Sequence, residues 1–387
     1  MSSIVDLASQ FGDLIAWESS TDDRKNFLRQ HLPTNLPYDY YLKVFKEDIE
    51  LDFVIDKVRD VDVFHLTSFG QYHDELYYFR SGCRLFHGHK IWSKWHSFLP
   101  FLQELTPTHF VEQPCFFVGS RPNYTHQIVD FLPNLLLRKE LNGLFSDDVM
   151  NIIGNPNPIL SEAFQFLPDH TFPTCDLNHL SNYQGETISI QSNPVWRIKC
   201  IRFNELYLVR HISIFKSFQL LRSAFKRSFD NSIDVLGHTT DAQAKALFLA
   251  RTDNRIINQR QLSEQLEAHY SVKTFTDLAA MSLLQKYHYL STFTDLVIPP
   301  GSQNINAFCF SNSSCQLIQM VPRRLTRLFE TPFHTLAGIR YNLPFLDRTA
   351  FWEPQSEGRS VNSAVWNISN IPPFSSLRNN MTEPRHL

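Results

Sequence analysis

The sequence predicts an α/β protein built from two lobes, and three observations lead to this fold class. The chain has 387 residues, which suits two domains better than one. Residues 246–321 alternate β-prone runs with helical runs, the pattern of a parallel sheet covered by helices. Residues 51–153 place short β-prone runs on both sides of one amphipathic helix. Apolar residues make up 43% of the chain, so each lobe can fill a core.

The first lobe is predicted to span residues 1–236. In chain order the pattern predicts mostly helix at 1–50, short strands between 51 and 120, a helix at 125–140, a strand at 149–153, loop at 154–194, a strand at 206–209 and a helix at 212–229. Pro33 and Pro37 interrupt the first helical stretch. The loop prediction depends on the frequent Pro, Asn and Ser residues of 154–194.

The helix predicted at 125–140 contains the most informative residues of the chain. His126 and Asp130 lie four residues apart and therefore on one helix face. A carboxylate one turn from an imidazole orients the ring and raises its proton affinity, which suits a general base near neutral pH. The alternative is a hydrogen-bonded core histidine with an aspartate that pairs locally. Pro133 lies inside the helical pattern and predicts a kink or a restart of the helix there.

The second lobe is predicted to span residues 245–350, after a polar linker at 237–244. Its predicted strands are 246–250, 272–275, 295–299 and 316–321, and its predicted helices are 258–270, 282–293 and 303–310. Right-handed crossovers would place these helices on both faces of the sheet. A polar tail, 351–387, follows the second lobe and is expected to be partly disordered.

The loops after the second-lobe strands predict an anion site. Ligands of open α/β sheets bind beyond the carboxyl ends of the strands. Arg251 follows the first of these strands, and Gly301 and Ser302 follow the third. The helix after them would direct free N–H groups at a pyrophosphate, and Arg251 and Arg255 would add charge-assisted bonds. The alternative is that the two arginines make surface salt bridges.

Composition excludes several other classes of protein. The net charge is −3 and no long basic run occurs, which argues against binding of nucleic acid through a broad basic face. The N-terminus lacks the features of a signal peptide, and no apolar run reaches membrane-spanning length. These features predict a cytoplasmic protein that is at most peripheral to the inner face of a membrane. No Gly-x-Gly-x-x-Gly fingerprint or Walker loop is present, which argues against a nicotinamide cofactor and a P-loop ATP site.

Metal and nucleophile motifs are weaker. The six cysteines form no Cys-x-x-Cys pair, and His87 and His89 lack partners at zinc spacing. Asp60 and Asp62 form an Asp-x-Asp tripeptide, which is common by chance and is a minor alternative for a metal site. Cys115 precedes His126 in the sequence, but its apolar neighbours favour a core strand with an inert thiol. We therefore predict no metal site.

Two stretches of the chain share an order of motifs with a known family. The first is Asn123-x-x-His126-x-x-x-Asp130, followed by Leu-Pro at 132–133. The second begins with Arg251 after a strand and continues with Arg255 and an Asn258-Gln259 pair at a helix start. It continues with the turn Pro300-Gly301-Ser302-Gln303-Asn304-Ile305-Asn306 and with the strand of 315–322. Over roughly residues 110–322 this order resembles glycosyltransferase family 61, which includes plant xylosyl- and arabinosyltransferases and animal O-linked N-acetylglucosaminyltransferases.

The resemblance implies a GT-B-like architecture, with two Rossmann-like lobes whose parallel sheets face a cleft. It also implies an inverting transferase without a catalytic metal or other cofactor, acting in surface polysaccharide biosynthesis. The donor would be a nucleotide sugar held by the second lobe, and the acceptor a glycan or lipid-linked glycan. His126 would be the base and Asp130 its orienting partner, although Asp130 is an alternative base. The substrate-binding residues would be Asn123, Arg251, Arg255, Asn258, Gly301, Ser302, Gln303 and Asn306.

The chain departs from the family pattern in the second lobe. Gln259 stands where the family has Glu, Pro300 where it has His, and Ser302 and Gln303 where it has Ala and Gly. These departures motivate an alternative function: a non-catalytic partner that binds a sugar nucleotide or glycan within a polysaccharide assembly complex. The oligomeric state, the donor sugar and the acceptor linkage are not determined by the sequence.

Overall fold

The computed structural model describes most of the chain in separate ranges. They are residues 14–18, 20–32, 38–69, 75–81, 84–87, 99–121, 124–154, 157–166, 173–180, 184–188, 195–230, 246–251, 259–270, 272–275, 278–299, 303–320, 340–352, 356–357 and 365–366. The predicted linker at 237–244 and most of the polar tail lie outside these ranges.

The chain divides into two compact units. The first contains Met1–Ser19 and Leu51–Leu220, and the second contains Ser20–Glu50 and Leu221–Leu387. Residues 20–50 thus group with the C-terminal half, whereas the sequence placed all of 1–236 in the first lobe. Within the second unit, Arg340 donates two hydrogen bonds to the Asp48 carboxylate, at 2.7 and 2.8 Å. An ion pair between residues so distant in sequence carries no local pattern, which is why the sequence did not reveal it.

The sheet of the first unit has ten strands. They are β1 (Leu14–Glu18), β2 (Leu51–Phe69), β3 (Glu75–Ser81), β4 (Arg84–His87), β5 (His109–Val111), β6 (Cys115–Phe117), β7 (Met150–Ile153), β8 (Thr174–Asp176), β9 (Gln184–Ile188) and β10 (Val195–Ile212). The order is β4-β3-β2-β10-β6-β7-β8, and β1 pairs with β2 while β5 and β9 pair with β10. The strands β10, β6, β7 and β8 are parallel to one another, whereas β2, β3 and β4 are antiparallel to their neighbours.

The first sheet is therefore mixed, and the expectation of a parallel sheet in this lobe was correct only for one half. The short β-prone runs predicted between 51 and 120 include part of one long strand, β2, which pairs with β10 along almost its whole length. Asp62 of the Asp-x-Asp tripeptide lies in β2 and is buried. Its carboxylate accepts hydrogen bonds from Arg80 at 2.7 Å and Arg202 at 2.6 Å, so this side chain is part of a salt bridge.

The first unit also contains helices. They are Leu99–Glu104, the helical segment from Tyr124 to Glu140, Pro158–Phe166, Leu177–Leu180 and the start of Ile214–Asp230, within which the division between units falls. Residues 154–194 were predicted to be largely loop, but they contain the helices Pro158–Phe166 and Leu177–Leu180 and the strands β8 and β9. Asn157 Oδ1 accepts from the Leu160 N–H at 2.9 Å, so Asn157 caps a helix that begins at Pro158. The same Asn-Pro dipeptide favours turns, which explains the error.

The second unit contains a parallel sheet, as the sequence predicted, but it has a fifth strand at 349–352 that the sequence did not predict and that runs into the predicted tail. Its strands are β11 (Ala246–Leu249), β12 (Val272–Phe275), β13 (Asp295–Ile298), β14 (Gln316–Met320) and β15 (Thr349–Trp352), in the order β12-β11-β13-β14-β15. The main helices are Thr21–His31, Tyr38–Val44, Lys46–Glu50, Gln259–Tyr270, Leu283–Ser291 and Gln303–Phe310. This strand order reverses direction between β11 and β13, and such a switch point is the usual ligand position of an open α/β sheet.

The described part of the chain is an α/β structure, and each unit has its own hydrophobic core. In the first unit, apolar side chains of β2, β6 and β10 such as Val63, Phe117 and Phe203 pack together. In the second unit, Phe248 and Val297 of the parallel sheet pack against Leu262 and Leu266. No helix within the described ranges is long and apolar enough to cross a membrane.

Candidate functional site

The first candidate site lies at the carboxyl end of β6. The Val118 and Gly119 N–H groups both donate to the Ile152 carbonyl of the neighbouring strand, at 2.9 and 3.1 Å. The chain then turns through Ser120 and Arg121 into the helical segment that contains His126. In the sheet of the first unit, β6 lies between β7 on one side and β10 on the other, and the chain passes from β6 to β7 before it forms β10. The end of β6 is therefore a switch point as well.

The helical segment after this turn contains a π-helical stretch, Gln127–Phe131. The Leu132 N–H donates to the Gln127 carbonyl, five residues back, and a regular α-helix resumes over Leu132–Glu140. Pro133 lies in the first turn of that helix and lacks an N–H, so the regular hydrogen-bond ladder cannot run through this position. The sequence predicted an irregularity at Pro133, and the structure places it just before that residue. Short π-helical insertions of this kind occur frequently at functional sites.

His126 and Asp130 are in contact across the π-helical stretch. The distance between His126 Nδ1 and Asp130 Oδ2 is 2.6 Å. The Asp130 side chain is 6% exposed and the His126 side chain is 17% exposed, so the carboxylate is the more deeply buried partner. A carboxylate at Nδ1 favours the tautomer in which Nδ1 is protonated and Nε2 carries the lone pair. The pair therefore has the arrangement of a base oriented by a carboxylate.

A buried polar network lies beneath the turn. Glu75, at the start of β3, accepts a hydrogen bond from Ser120 Oγ at 2.5 Å and lies 3.1 Å from His65 Nε2. The Tyr77 hydroxyl lies 3.1 Å from Glu75 Oε2 and accepts from the Ser120 N–H at 3.1 Å. All four side chains are buried, and burial raises the pKa of Tyr77 well above its usual value. The network fixes Ser120 through both its backbone and its side chain.

Two glycines allow this close packing. Gly119 adopts φ +74°, a left-handed conformation that favours glycine, and an added Cβ would lie 2.6 Å from the Phe131 ring. Gly154 follows β7, and a Cβ there would overlap the Tyr77 hydroxyl and lie 2.5 Å from Ser120 Oγ. The network and the turn can therefore approach β7 only because residue 154 has no side chain.

Side-chain amides fix the backbone of Arg121 on both sides. Its N–H donates to Gln127 Oε1 at 2.9 Å, and its carbonyl accepts from Asn157 Nδ2 at 3.4 Å. Asn157 also donates to Gln127 Oε1 at 2.6 Å, which joins the two amides. Arg121 is 5% exposed. The guanidinium is thus attached to a well-fixed position at the end of β6.

The second candidate site follows β11, at the switch point of the second unit. Arg251 lies two residues after the end of this strand and is 7% exposed. Its N–H donates to Gln259 Oε1 and its carbonyl accepts from Gln259 Nε2, both at 2.6 Å. Gln259 is the first residue of the helix Gln259–Tyr270. A glutamate in this position would accept from the N–H but would have no hydrogen to donate to the carbonyl, so this pair of bonds requires an amide side chain.

Replacing Gln259 with glutamate is expected to weaken this site. The Arg251 carbonyl would lose its donor and face a carboxylate oxygen, and we expect a loss of about 1–3 kcal/mol in the free energy of unfolding. Urea denaturation would measure the change. Gln261→Glu is the matched control, because it adds the same charge to an exposed position of the same helix. Equal stability of the two variants would contradict the role given to the Gln259 amide.

The helix Gln303–Phe310 begins beyond β13, as predicted. Asn304 Nδ2 donates to Gln319 Oε1 at 2.9 Å, and Gln319 Nε2 donates to the Ile298 carbonyl at 3.2 Å. These bonds attach the start of the helix to β13 and β14. Asn306, a predicted donor-binding residue, is buried in this helix.

Only some of the predicted site residues lie within the described ranges. His126 and Asp130 are brought together, and Arg251 and the start of the helix Gln303–Phe310 lie after adjacent strands of one sheet. The structure does not describe the Gln303 side chain. The remaining predicted binding residues also lie outside the described ranges: Asn123, Arg255, Asn258, Gly301 and Ser302.

The structure also describes the candidate nucleophile Cys115 and side chains of the types that bind metal ions. Cys115 lies in β6, is fully buried, and has its pKa raised to about 12 by burial, as the prediction of an inert core thiol requires. Among the residues that the structure describes, no group of three or more His, Cys, Asp and Glu side chains is arranged to hold a metal ion.

The sequence did not reveal the hydrogen-bond network around the turn at Ser120 and Arg121. Glu75, Ser120, Gln127, Gly154 and Asn157 received no role, because hydrogen bonds between side chains far apart in sequence leave no periodic signal. The one available signal was Gly154, which directly follows a predicted strand and marks a close approach of chain segments.

Comparison with known proteins adds no family assignment. A scan against models of protein families found no matching family, and a search of curated proteins found no match. The function of this chain is therefore argued from the geometry of the two sites and from the resemblance of its motifs.

Proposed function

We propose that this protein is an inverting, metal-independent glycosyltransferase. The observation that carries the proposal is the His126–Asp130 pair, which lies at the carboxyl end of a parallel strand with Nδ1 2.6 Å from the carboxylate. The ring is more exposed than the carboxylate, which favours His126 as the base and Asp130 as the residue that orients it. The order of motifs resembling glycosyltransferase family 61 supports the same assignment.

The proposed reaction is a single displacement. His126 Nε2 removes the proton of an acceptor hydroxyl as its oxygen forms a bond to the anomeric carbon of the donor. The bond from that carbon to the phosphate oxygen breaks on the opposite face, and the nucleoside diphosphate leaves with the bonding electron pair. Asp130 stabilises the imidazolium that forms, as a carboxylate does in other His-carboxylate pairs. Attack from the opposite face inverts the anomeric configuration.

The donor is assigned to the second unit. Arg251 lies at the switch point between β11 and β13, where a diphosphate would accept charge-assisted hydrogen bonds from the guanidinium. The donor-site residues implied by the family pattern, including Arg255 and Ser302, complete the proposal. A GT-B arrangement of the two units, a polysaccharide acceptor and a cytoplasmic setting are parts of the same proposal.

A thermal-shift screen without added metal tests the donor assignment. UDP, GDP, CDP and their sugars would be added to the full-length protein, and we expect one nucleotide to raise the midpoint of unfolding. Arg251→Ala should remove this rise, whereas Arg260→Ala should keep it, because the Arg260 side chain is 94% exposed and forms a surface pair with Glu264. No shift with any nucleotide, or an equal shift in the Arg251 variant, would refute the donor site.

A second candidate function is ligand binding without catalysis. The departures at Pro300 and Gln303 favour a non-catalytic protein that binds a sugar nucleotide or glycan. This function predicts nucleotide binding without release of nucleoside diphosphate in the presence of any acceptor, and unchanged ligand binding when His126 is replaced. Measured turnover that depends on His126 would exclude it.

A further inference from the structure

We propose that Pro133 is a positioning residue for the base, because it imposes the π-helical stretch that sets the contact between His126 and Asp130. The inference rests on the proposed function for its effect on sugar transfer, whereas its geometric part concerns the two side chains alone. The sequence predicted a kink or a restart of the helix at Pro133 and gave this residue no role in the site.

The π-helical stretch, Gln127–Phe131, interrupts an otherwise regular helix. α-Helical residues precede it at Tyr124–His126 and follow it at Leu132–Glu140. The Leu132 N–H donates to the Gln127 carbonyl, five residues back, whereas an α-helix would use the carbonyl of the residue four positions back. The longer hydrogen bond places one more residue in this turn than an α-helix would have.

Pro133 accounts for the position of this stretch. An α-helix would need a hydrogen bond from the N–H of residue 133 to the Val129 carbonyl, but proline has no N–H and its ring would clash with that carbonyl. The backbone departs from regular geometry at Phe131, where φ is −109° and an α-helix has about −63°. Beyond the stretch, Pro133 lies in the first turn of the next helix, where N–H groups have no partner within the helix.

The helix is attached to the end of β6 on both sides of this irregularity. At the first residue of the stretch, Gln127 Oε1 accepts from the Arg121 N–H at 2.9 Å. Beyond its last residue, Asn134 Nδ2 donates to the Val118 carbonyl at 3.3 Å. Both amide side chains are buried. A helix with one residue fewer in this turn would rotate one attachment relative to the other by about 100°, so the stretch allows both to form.

The same turn aligns the base with its carboxylate. His126 directly precedes the π-helical stretch, and Asp130 is its fourth residue. In an α-helix each residue turns the chain by about 100°, so residues four apart are about 40° out of line. A turn with more residues reduces this angle, and the carboxylate reaches Nδ1 at 2.6 Å. A regular α-helix would separate the two groups and weaken the preference for the tautomer with a proton on Nδ1.

The tautomer of His126 tests the positioning without any substrate. Full-length protein with ¹⁵N-labelled histidine would be studied by long-range ¹H–¹⁵N NMR, at a pH where the imidazole is neutral. This measurement distinguishes the protonated ring nitrogen from the unprotonated one, and His126→Ala identifies the signals. We expect a proton on Nδ1 in the wild type, and a mixture of tautomers in Pro133→Ala and in Asp130→Asn. The wild-type proportion of tautomers in Pro133→Ala would overturn the inference.

Pro158→Ala is the matched control. Pro158 is the exposed first residue of the helix Pro158–Phe166 in the same unit, and this helix begins behind the Asn157 cap. The control should keep the wild-type tautomer, and an equal change in both variants would contradict a specific role of Pro133. Circular dichroism establishes folding. If Pro133→Ala fails to fold, Pro133→Val is measured, because valine restores the N–H and keeps much of the volume of the buried ring.

Turnover separates this inference from the proposed function. Pro133→Ala should lower kcat for sugar transfer by about 10–10²-fold, the loss expected when a reacting group is slightly misplaced. Nucleotide binding should be unchanged, because Arg251 belongs to the other unit. A wild-type protein that transfers no sugar would refute the proposed function, and the NMR result would still decide the role of Pro133. Wild-type kcat in Pro133→Ala with altered tautomers would refute the effect on catalysis.

Discussion

Replacing His126 with alanine is expected to reduce sugar transfer by about 10²–10⁴-fold while leaving donor binding unchanged. The variant keeps Asp130 but loses the Nε2 electron pair that receives the acceptor proton. Because His126 belongs to the first unit and Arg251 to the second, nucleotide affinity should stay at the wild-type value. The measurement is the rate of nucleoside diphosphate release with the donor identified by thermal shift and an excess of acceptor.

Two further variants sharpen this test. Asp130→Asn keeps the size of the side chain but removes the charge that stabilises the imidazolium, so we expect a smaller loss of turnover with donor binding intact. His179→Ala is the matched control, because His179 is an exposed histidine of the same unit. Full activity of the His126 variant would refute the base assignment, and activity lost equally in the His179 variant would attribute the effect to general destabilisation.

Replacing Gly154 with alanine is expected to destabilise the protein by about 3 kcal/mol or more. The new methyl group would overlap the Tyr77 hydroxyl and lie 2.5 Å from Ser120 Oγ, and both atoms belong to the buried network around Glu75. The methyl group can be accommodated only if these hydrogen bonds break, which leaves buried polar atoms without partners. Urea denaturation followed by circular dichroism would measure the loss.

Gly143 provides the control for this substitution. It lies in a short 3₁₀ helix, Asn142–Leu144, and an added Cβ there would meet no atom within 4 Å. Gly143→Ala should therefore change the free energy of unfolding by less than about 1 kcal/mol, with a gain expected from reduced entropy of the unfolded chain. Similar stabilities of the two variants would contradict the close packing proposed at Gly154.

The sequence alone predicted the features that depend on local pattern. The alternation of strands and helices over 246–321 corresponds to four of the five strands of the parallel sheet, and the i, i+4 spacing of His126 and Asp130 corresponds to a contact in the structure. The arginine after β11 was identified in the same way, because a strand end and a charged residue are adjacent in the chain. Such features are set by periodicity and by neighbours within a few residues.

Only the tertiary structure decided which distant segments meet. Strand pairing is non-local, so the antiparallel half of the first sheet and the grouping of residues 20–50 with the second unit could not be seen in the sequence. Glu75, Ser120 and Gly154 meet in one network, although Glu75 and Gly154 are 79 positions apart in the sequence. The sequence thus determined the spacing that brings His126 and Asp130 into contact, and the packing of remote strands determined how the turn before them is held. The physical reason is that a hydrogen bond or a missing methyl group has its effect only where folding has brought its partners into contact.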